Sequence, residues 1–439
     1  MKNWRSMVLF FALVLLFTCA VSTDTQAAIK LNKSSLSLVE GKSSTLKVTG
    51  TKKKITWKSN KKSVATVTSK GKVTAKAPGH AVISATVGKT TKKCKVTVSV
   101  NYANTYEYQV KYGKVTINKL LRISETELVI PETIEGYPVT ELADGLFKGC
   151  DGLVRIELPS GVTKIGNSLF SDCHMLREVK CNGTITSLGS YAFYECNVLE
   201  TLPDLTKIDG IGEYAFYNCD ALASFTVFPT GLKTIGNYAF FDCDKLLTFY
   251  GPDTLTSIGD YAFKNCDALM SVAGCKNVQT IGTECFAACK QLRSADLGKE
   301  LTTLGNSCFI GCEQLGRVSL GNKLTTLGLG CFSGCKALND IRLSDVLTSI
   351  PDQCFKDCFK LNTLTIPTSV TKMGNMAFLN CIGLQTLVIP GTDITSIASD
   401  SFVGGTLNNV TIFYHPSSPA KYIDNWVAGL GKATKIHTI

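Results

Sequence analysis

"LTSIGDYAFKNCDALMSVAGCKN", residues 255–277, is one unit of a pattern that recurs every 23 or 24 residues along most of the chain. Successive units start at Val139, Val162, Ile185, Ile208, Leu232, Leu255, Val278, Leu301, Leu324, Leu347, Val370 and Ile394. In the shared frame positions 1 and 4 are apolar, 5 is glycine, 9 phenylalanine, 12 cysteine and 15 leucine, with 18 and often 20 apolar. Phenylalanine holds position 9 in all twelve units, from Phe147 to Phe402. A unit this short cannot bury its own apolar face, but stacked units share one continuous core.

A fixed period in this range predicts a leucine-rich-repeat solenoid. The apolar alternation at positions 15–20 predicts a strand in each unit, paired with its neighbours in a parallel ladder about 4.8 Å apart. The "AFxxC" segment is expected to form a short helical or 3-10 turn on the other side of the unit.

The 439 residues suffice for several domains or a long array, and 44% hydrophobic residues with 18% charged ones describe a chain that buries a core. Lys2 and Arg5 flank "MVLFFALVLLF", an 11-residue apolar run too short to span a bilayer but suited to a signal peptide, with cleavage expected after Ala27. No later stretch approaches 18 apolar residues, so an exported chain without a transmembrane span is expected. A second reading makes "LFTC" a lipobox with Cys19 lipid-modified, against which Phe17 stands. The closing "KIHTI" carries no hydrophobic tail or sorting signal, so C-terminal anchoring is not expected.

Charge divides the chain. Residues 29–100 hold 17 lysines, no arginine and one acid, Glu40, whereas residues 101–439 hold 27 basic and 33 acidic side chains. A break of this size near residue 100 marks a domain boundary. The lysine-rich part alternates in "STLKVTG", "VATVTSKGKVTA", "HAVISATVG" and "CKVTVSV" between turn residues, which predicts six or seven strands in a small antiparallel β-sandwich. Its core would be Val64, Val67, Val73, Ile83, Val96 and Val98 with Trp57, and the lone Cys94 is read as a small buried apolar residue. The lysines then lie on the surface, either as a solvated face or as a contact for an anionic polymer such as wall teichoic acid or acidic glycan. Lysine without arginine disfavours sequence-specific nucleic acid recognition.

Cysteine invites a chemical reading that the frame removes. Eleven cysteines, from Cys150 to Cys381, sit at position 12, and Cys285, Cys308, Cys331 and Cys354 fill position 8, where earlier units carry leucine or alanine. Cys181 falls at the inward position 20 and Cys275 one residue further, at position 21. These are read as buried thiols in a core ladder. Rung spacing exceeds the Cβ separation of about 3.8 Å that a disulfide prefers, and identical rungs do not converge on a metal. Four histidines (His80, His174, His415, His437) stand apart, and no G-x-S-x-G, H-E-x-x-H, P-loop or dinucleotide fingerprint occurs. No enzyme, metal or cofactor is expected.

Candidate binding residues lie off the core positions. Tyr191, Tyr214, Tyr238 and Tyr261 occupy position 7 of four consecutive units, and Tyr194, Tyr217 and Phe241 occupy position 10 of the first three. Stacking would align them along one flank, as turn-layer packing or as a contact strip for protein or glycan. On the strand face, positions 17 and 19 point outward and place Arg155, Glu157, Glu178 and Lys180 early in the array and Tyr250 near its middle.

The blocks of the type "KTIGNYAFFDCDKL" (233–246) resemble the BspA-like leucine-rich repeat of bacterial cell-surface proteins. "YEYQVKYGKVTINKLLRISETELVIPETIEGYPVTEL" (106–142) is similar to that family's N-terminal end piece, and "YHPSSPAKYIDNWVAGL" (414–430) to its terminal cap. "LVEGKSSTLKVTGTKKKITWKSNKKSVATVTSKGKVTAKAPGHAVISATVG" (38–88) resembles a group 2 bacterial immunoglobulin-like domain. After the signal peptide (1–27), the resemblances imply an immunoglobulin-like sandwich (28–100), a cap (101–138), twelve repeats (139–413) and a terminal cap (414–439). They further imply a secreted or surface protein, adhesin-like, whose solenoid binds host extracellular matrix or another bacterial surface protein or glycan. The alternative is a structural envelope component held by its basic module.

Overall fold

The computed structural model describes residues 27–122, 126–223, 228–398, 400–402, 410–415 and 435–438. The signal segment, Cys19 and most of the expected terminal cap lie outside the described residues. The chain divides into two compact units between Tyr102 and Ala103.

The first unit is a two-layer β structure. A four-stranded sheet runs in the order Ser35–Val39, Thr90–Ser99, Gly79–Val87, Thr56–Ser59, and a three-stranded sheet in the order Ser43–Thr45, Lys72–Ala75, Ala65–Val67. The antiparallel expectation needs one correction: the first long strand pairs parallel with the last, Leu36 opposite Val96. The cause lies in the connectivity, since these two strands come from opposite ends of the unit rather than from one hairpin. Leu36, Leu46, Val64, Val73, Ile83, Cys94, Val96 and Val98 close the core, with Trp57 and Val67 partly buried against it. Cys94 is fully buried, as its apolar reading requires. All 17 lysines of residues 29–100 are exposed.

The second unit is a parallel-strand solenoid. At positions 17–19 short strands such as Thr248–Tyr250, Ser271–Ala273, Ser294–Asp296, Arg317–Ser319 and Asp340–Arg342 pair in register, Phe249 beside Val272 beside Ala295. These strands are shorter than the expected 15–20. The ladder also extends past the repeats, because the cap strand Glu127–Val129 pairs parallel with Arg155–Leu158 and Lys435–Thr438 pairs parallel with Thr411–Tyr414. Each end strand covers an edge that would otherwise offer unpaired backbone groups.

A second parallel ladder, which the pattern did not suggest, runs through positions 3–4. Eight two-residue strands from Lys164–Ile165 to Thr326–Leu327 form one sheet, and Ser349–Ile350, Lys372–Met373 and Ser396–Ile397 form another. Glycine at position 5 permits it. A Cβ on Gly212 would lie 2.5 Å from the Gly189 carbonyl carbon, and one on Gly305 2.4 Å from that of Gly282. The bare backbone instead donates rung to rung, as Gly259 N to Ile235 O at 2.9 Å and Gly282 N to Ile258 O at 3.0 Å. The sheet breaks between Leu327 and Ser349, next to Pro351, which holds position 5 without an N–H to donate.

The "AFxxC" segment is a pair of i to i+3 turns, not a helix. Cys196 N donates to Phe193 O at 3.2 Å and Tyr194 N to Tyr191 O at 3.2 Å. Positions 7 and 11 are left-handed, for example Tyr214 (φ 55°) with Asn218 (φ 55°) and Tyr261 (φ 58°) with Asn265 (φ 61°). Each reversal ends the turn before a helix can propagate, and it turns the freed N–H groups toward the next rung. Tyr191 N, Phe193 N and Glu195 N accordingly donate to the carbonyls of Glu213, Ala215 and Tyr217, each at 2.8 Å. Among the described residues the one 3-10 element is Tyr102–Asn104, ahead of the array.

Two buried columns fill the space between the ladders. The twelve position-9 phenylalanines stack in sequence with ring centroids 5.1–5.7 Å apart, the Phe240–Phe263 and Phe309–Phe332 pairs marking those limits. Beside them each position-12 thiol from Cys173 to Cys381 donates to the position-9 carbonyl one rung earlier: Cys196 Sγ to Phe170 O at 3.1 Å, Cys266 to Phe240 O at 3.1 Å, Cys335 to Phe309 O at 3.2 Å. The eighteen described cysteines are all free thiols. Cysteine suits this position because it is small, apolar and able to donate one weak hydrogen bond.

Candidate binding surfaces

The aromatic residues singled out in the sequence do come together. Tyr191, Tyr214, Tyr238 and Tyr261 stack with ring centroids 4.6–4.7 Å apart and interplanar angles of 6–11°. Tyr194, Tyr217 and Phe241 form a parallel column at 4.8–4.9 Å. Tilted contacts such as Tyr214 to Tyr217 at 5.7 Å tie the columns together. Seven rings thus make one double ladder on the turn flank. Burial in the stack and neighbouring carboxylates push the Tyr194 and Tyr217 hydroxyls above the usual tyrosine range.

Stacking also limits what the ladder can do. Each inner ring has both faces covered by its neighbours, so it presents an edge and a hydroxyl to solvent, not a platform. At one end Lys264 places its ammonium 5.3 Å from the Tyr261 ring centre and pairs with Glu284 at 2.6 Å. At the other, the column stops on Ser168, and Tyr191 is the most open member at 38% exposure.

The strand-face candidates are placed differently. Arg155 is held between Glu127 (3.6 Å) and Glu178 (3.3 Å), and Lys180 pairs with the same Glu178 at 3.0 Å. The early rungs therefore present a closed ion-pair chain and not free cations, because charges at positions 17 and 19 of adjacent rungs alternate in sign. Tyr250 stands alone at 61% exposure, with no aromatic partner among the described contacts, and is not part of the ladder.

The sequence did not reveal a trench along positions 3–6. It is a shallow, open track of about 470 Å³, lined between Glu213 and Gly305 by the glycines of position 5, the hydroxyls of Ser257, Thr280 and Thr303, and the side chains of Asn237 and Asp260. Position 6 is itself a ladder: Asn237 Oδ1 accepts the Asp260 N–H at 2.8 Å, and Asp260 Oδ1 accepts the Thr283 N–H at 2.7 Å. The signal for the trench was the run of glycines, legible only once their side of the rung is known.

His174 Nδ1 lies 2.7 Å from Asp151 Oδ1, a contact that raises its pKa, and His80 meets Thr97 at 3.2 Å. Among the described residues no group of three or more His, Cys, Asp or Glu side chains is arranged to hold a metal ion. No helix among them is long and apolar enough to cross a membrane.

Comparison with known proteins fits this architecture. Residues 140–269, 209–336 and 307–423 match the model of the "BspA type Leucine rich repeat region (6 copies)", and residues 26–98 match "Bacterial Ig-like domain (group 2)". No curated protein matches the chain. A leucine-rich repeat protein from Bacteroides ovatus is 22% identical with a TM-score of 0.52, over 76% of this chain and 98% of that one. A leucine rich cell surface protein from Faecalibacterium prausnitzii is 25% identical with a TM-score of 0.47, over 74% and 96%. The pneumococcal vaccine antigen PcpA is 17% identical with a TM-score of 0.41, over 76% and 97%. With the repeat model spanning most of residues 140–423, the chain belongs to the BspA-type leucine-rich-repeat family and carries an N-terminal group 2 bacterial immunoglobulin-like domain.

Proposed function

We propose that the chain is an exported bacterial surface or secreted binding protein, adhesin-like, that holds a protein or glycan ligand non-covalently on its solenoid. The observation that carries this reading is the double aromatic ladder. Position 7 is left-handed in every described rung up to Met376 and elsewhere accepts Gly145, Ser168, Glu284, Ser307 or Gln353. A bulky aromatic at positive φ is disfavoured, so four consecutive tyrosines there are not demanded by the fold. Tyrosine edges and hydroxyls on a rigid scaffold offer large, adaptable contact area at low entropic cost. Tyr191, Tyr214, Tyr238 and Tyr261 are the proposed contact residues, with Tyr250 as an isolated exposed aromatic and Arg155 and Lys180 as rim charges. The test is an array of host matrix proteins, bacterial surface proteins and glycans probed with the purified chain. Retention of a ligand that the unfolded chain does not retain supports the reading, and retention of nothing contradicts it.

A second reading rests on a separate observation. The 17 exposed lysines of the first unit have no ion pair among the described residues, and Glu40 is the one acid within residues 29–100. Such a surface attracts an anionic wall polymer, which would make the chain a structural envelope component. Binding of purified teichoic acid should then fall steeply between about 50 and 500 mM salt, as counterion screening shortens the reach of each charge. Salt-independent binding, or none, removes this reading.

A further inference from the structure

The trench along positions 3–6 is a surface to which the ladder reading assigns nothing. Its residues exclude most ligand classes in turn. No cationic side chain lines it, while Glu213 and Asp260 do, so a phosphate or carboxylate polymer would be repelled. Ile235, Ile258 and Ile281 floor it but are themselves at most 2% exposed, so it offers no apolar pocket for a greasy anchor. The position-5 N–H groups are already donated rung to rung, so an extended peptide would find no main-chain donors there for strand addition.

What remains is a row of small polar groups repeated once per rung. Ser257, Thr280 and Thr303 supply hydroxyls on one side. Asp260 supplies a carboxylate on the other that spends only Oδ1 on the ladder, whereas the Asn237 carboxamide is taken at both ends, Oδ1 by the Asp260 N–H and Nδ2 by Glu213. Oriented acceptors and donors of this kind match closely spaced hydroxyls that both donate and accept. The tyrosine ladder begins at the next residue, position 7. At the start of the array the same track carries Glu141, Asp144 and Lys164, so the uncharged row of position-3 hydroxyls belongs to the middle rungs.

We infer that this trench seats an elongated, uncharged, hydroxyl-rich chain: a neutral polysaccharide lying along the array axis. The inference rests on the proposed binding function and narrows it to one ligand class and one track. The repeat supplies its own tolerated substitutions. Position 3 is lysine at Lys164 and Lys372, so Thr280→Lys should fold and fill the trench. Position 6 is asparagine at Asn167, Asn306 and Asn375, so Asp260→Asn should keep the ladder bond and remove only the charge.

The test is calorimetric titration of the full chain with linear hexasaccharides of β-linked glucose, mannose and N-acetylglucosamine, beside inorganic polyphosphate. The expected result is binding of at least one neutral hexasaccharide, weakened about tenfold or more by Thr280→Lys and severalfold by Asp260→Asn, with unchanged melting temperatures. Neutral-glycan binding that both variants leave unchanged overturns the trench while leaving the binding function standing. Binding of polyphosphate alone, or of protein ligands without any neutral glycan, also overturns it. Failure of every hexasaccharide and of the whole ligand array removes both.

Discussion

Two aromatic columns run through the same rungs two residues apart, and they answer to different demands. The phenylalanines of position 9 stack at 5.1–5.7 Å through all twelve repeats and are buried throughout. The tyrosines of position 7 stack at 4.6–4.7 Å through four repeats only, and end on a serine at one side and on the Lys264–Glu284 pair at the other. The solenoid cannot close without the first column, whereas eight other rungs close without the second. Residues invariant across rungs report the fold. A residue type confined to a block of rungs reports what that block does.

The largest effect should follow from breaking the inner column. Phe263→Ala leaves a ring-sized hole between Phe240 and Phe286, and removal of a buried aromatic of this kind costs about 3–5 kcal/mol. Thermal or urea unfolding of the variant should show that loss, with array cooperativity reduced on both sides of the cavity. A change below about 1 kcal/mol would mean the neighbouring rungs collapse into the gap.

The thiol column should yield a pH effect of intermediate size. Burial pushes Cys173, Cys275 and Cys381 up to about 12, from an ordinary value of 9.0, and raises the remaining ladder thiols in the same direction. Above the ordinary value the unfolded chain loses these protons and the folded chain keeps them. The unfolded state then binds fewer protons, so stability must fall as pH rises from about 9 toward 12. Denaturant midpoints measured at pH 8, 9.5 and 10.5 should decline in that order. A flat profile would show that the thiols are reached by solvent in the folded state.

Much of this division was legible in the sequence. The 23-residue frame identified the phenylalanine and cysteine columns because the same residue returns at the same position, and repetition of identity is visible without knowing any geometry. The second ladder was not legible. Two-residue strands such as Ser257–Ile258 leave too short an alternation to register, and their partner lies 23 residues away. Left-handed positions 7 and 11 were also missed, although Gly330 and Gly334 or Asp242 and Asn265 hinted at them. Tyrosine, glutamate and methionine at the same positions concealed the signal, because backbone held rung to rung overrides residue preference. For the candidate surface, alignment of Tyr191 to Tyr261 followed from the period, but their face-to-face stacking did not. That stacking leaves the expected contact strip as a row of ring edges. Likewise the sequence put Arg155, Glu157, Glu178 and Lys180 on one face, but not the pairing of Glu178 with both Arg155 and Lys180.

The smallest stability effect with the largest functional one should come from the outer column. Replacing Tyr191, Tyr214, Tyr238 and Tyr261 by serine uses a residue that already occupies position 7 at Ser168 (φ 52°) and Ser307 (φ 52°). Each stacked pair is worth about 0.5–1.5 kcal/mol, so the solenoid should lose a modest part of its stability and still melt cooperatively. The direct test is to measure, on one preparation of this variant, the melting curve and the retention on the ligand that the unaltered chain selects. The account predicts a folded protein with a lowered melting temperature and at least tenfold weaker binding. A folded variant that binds as tightly as the original would contradict it and return the tyrosines to packing alone.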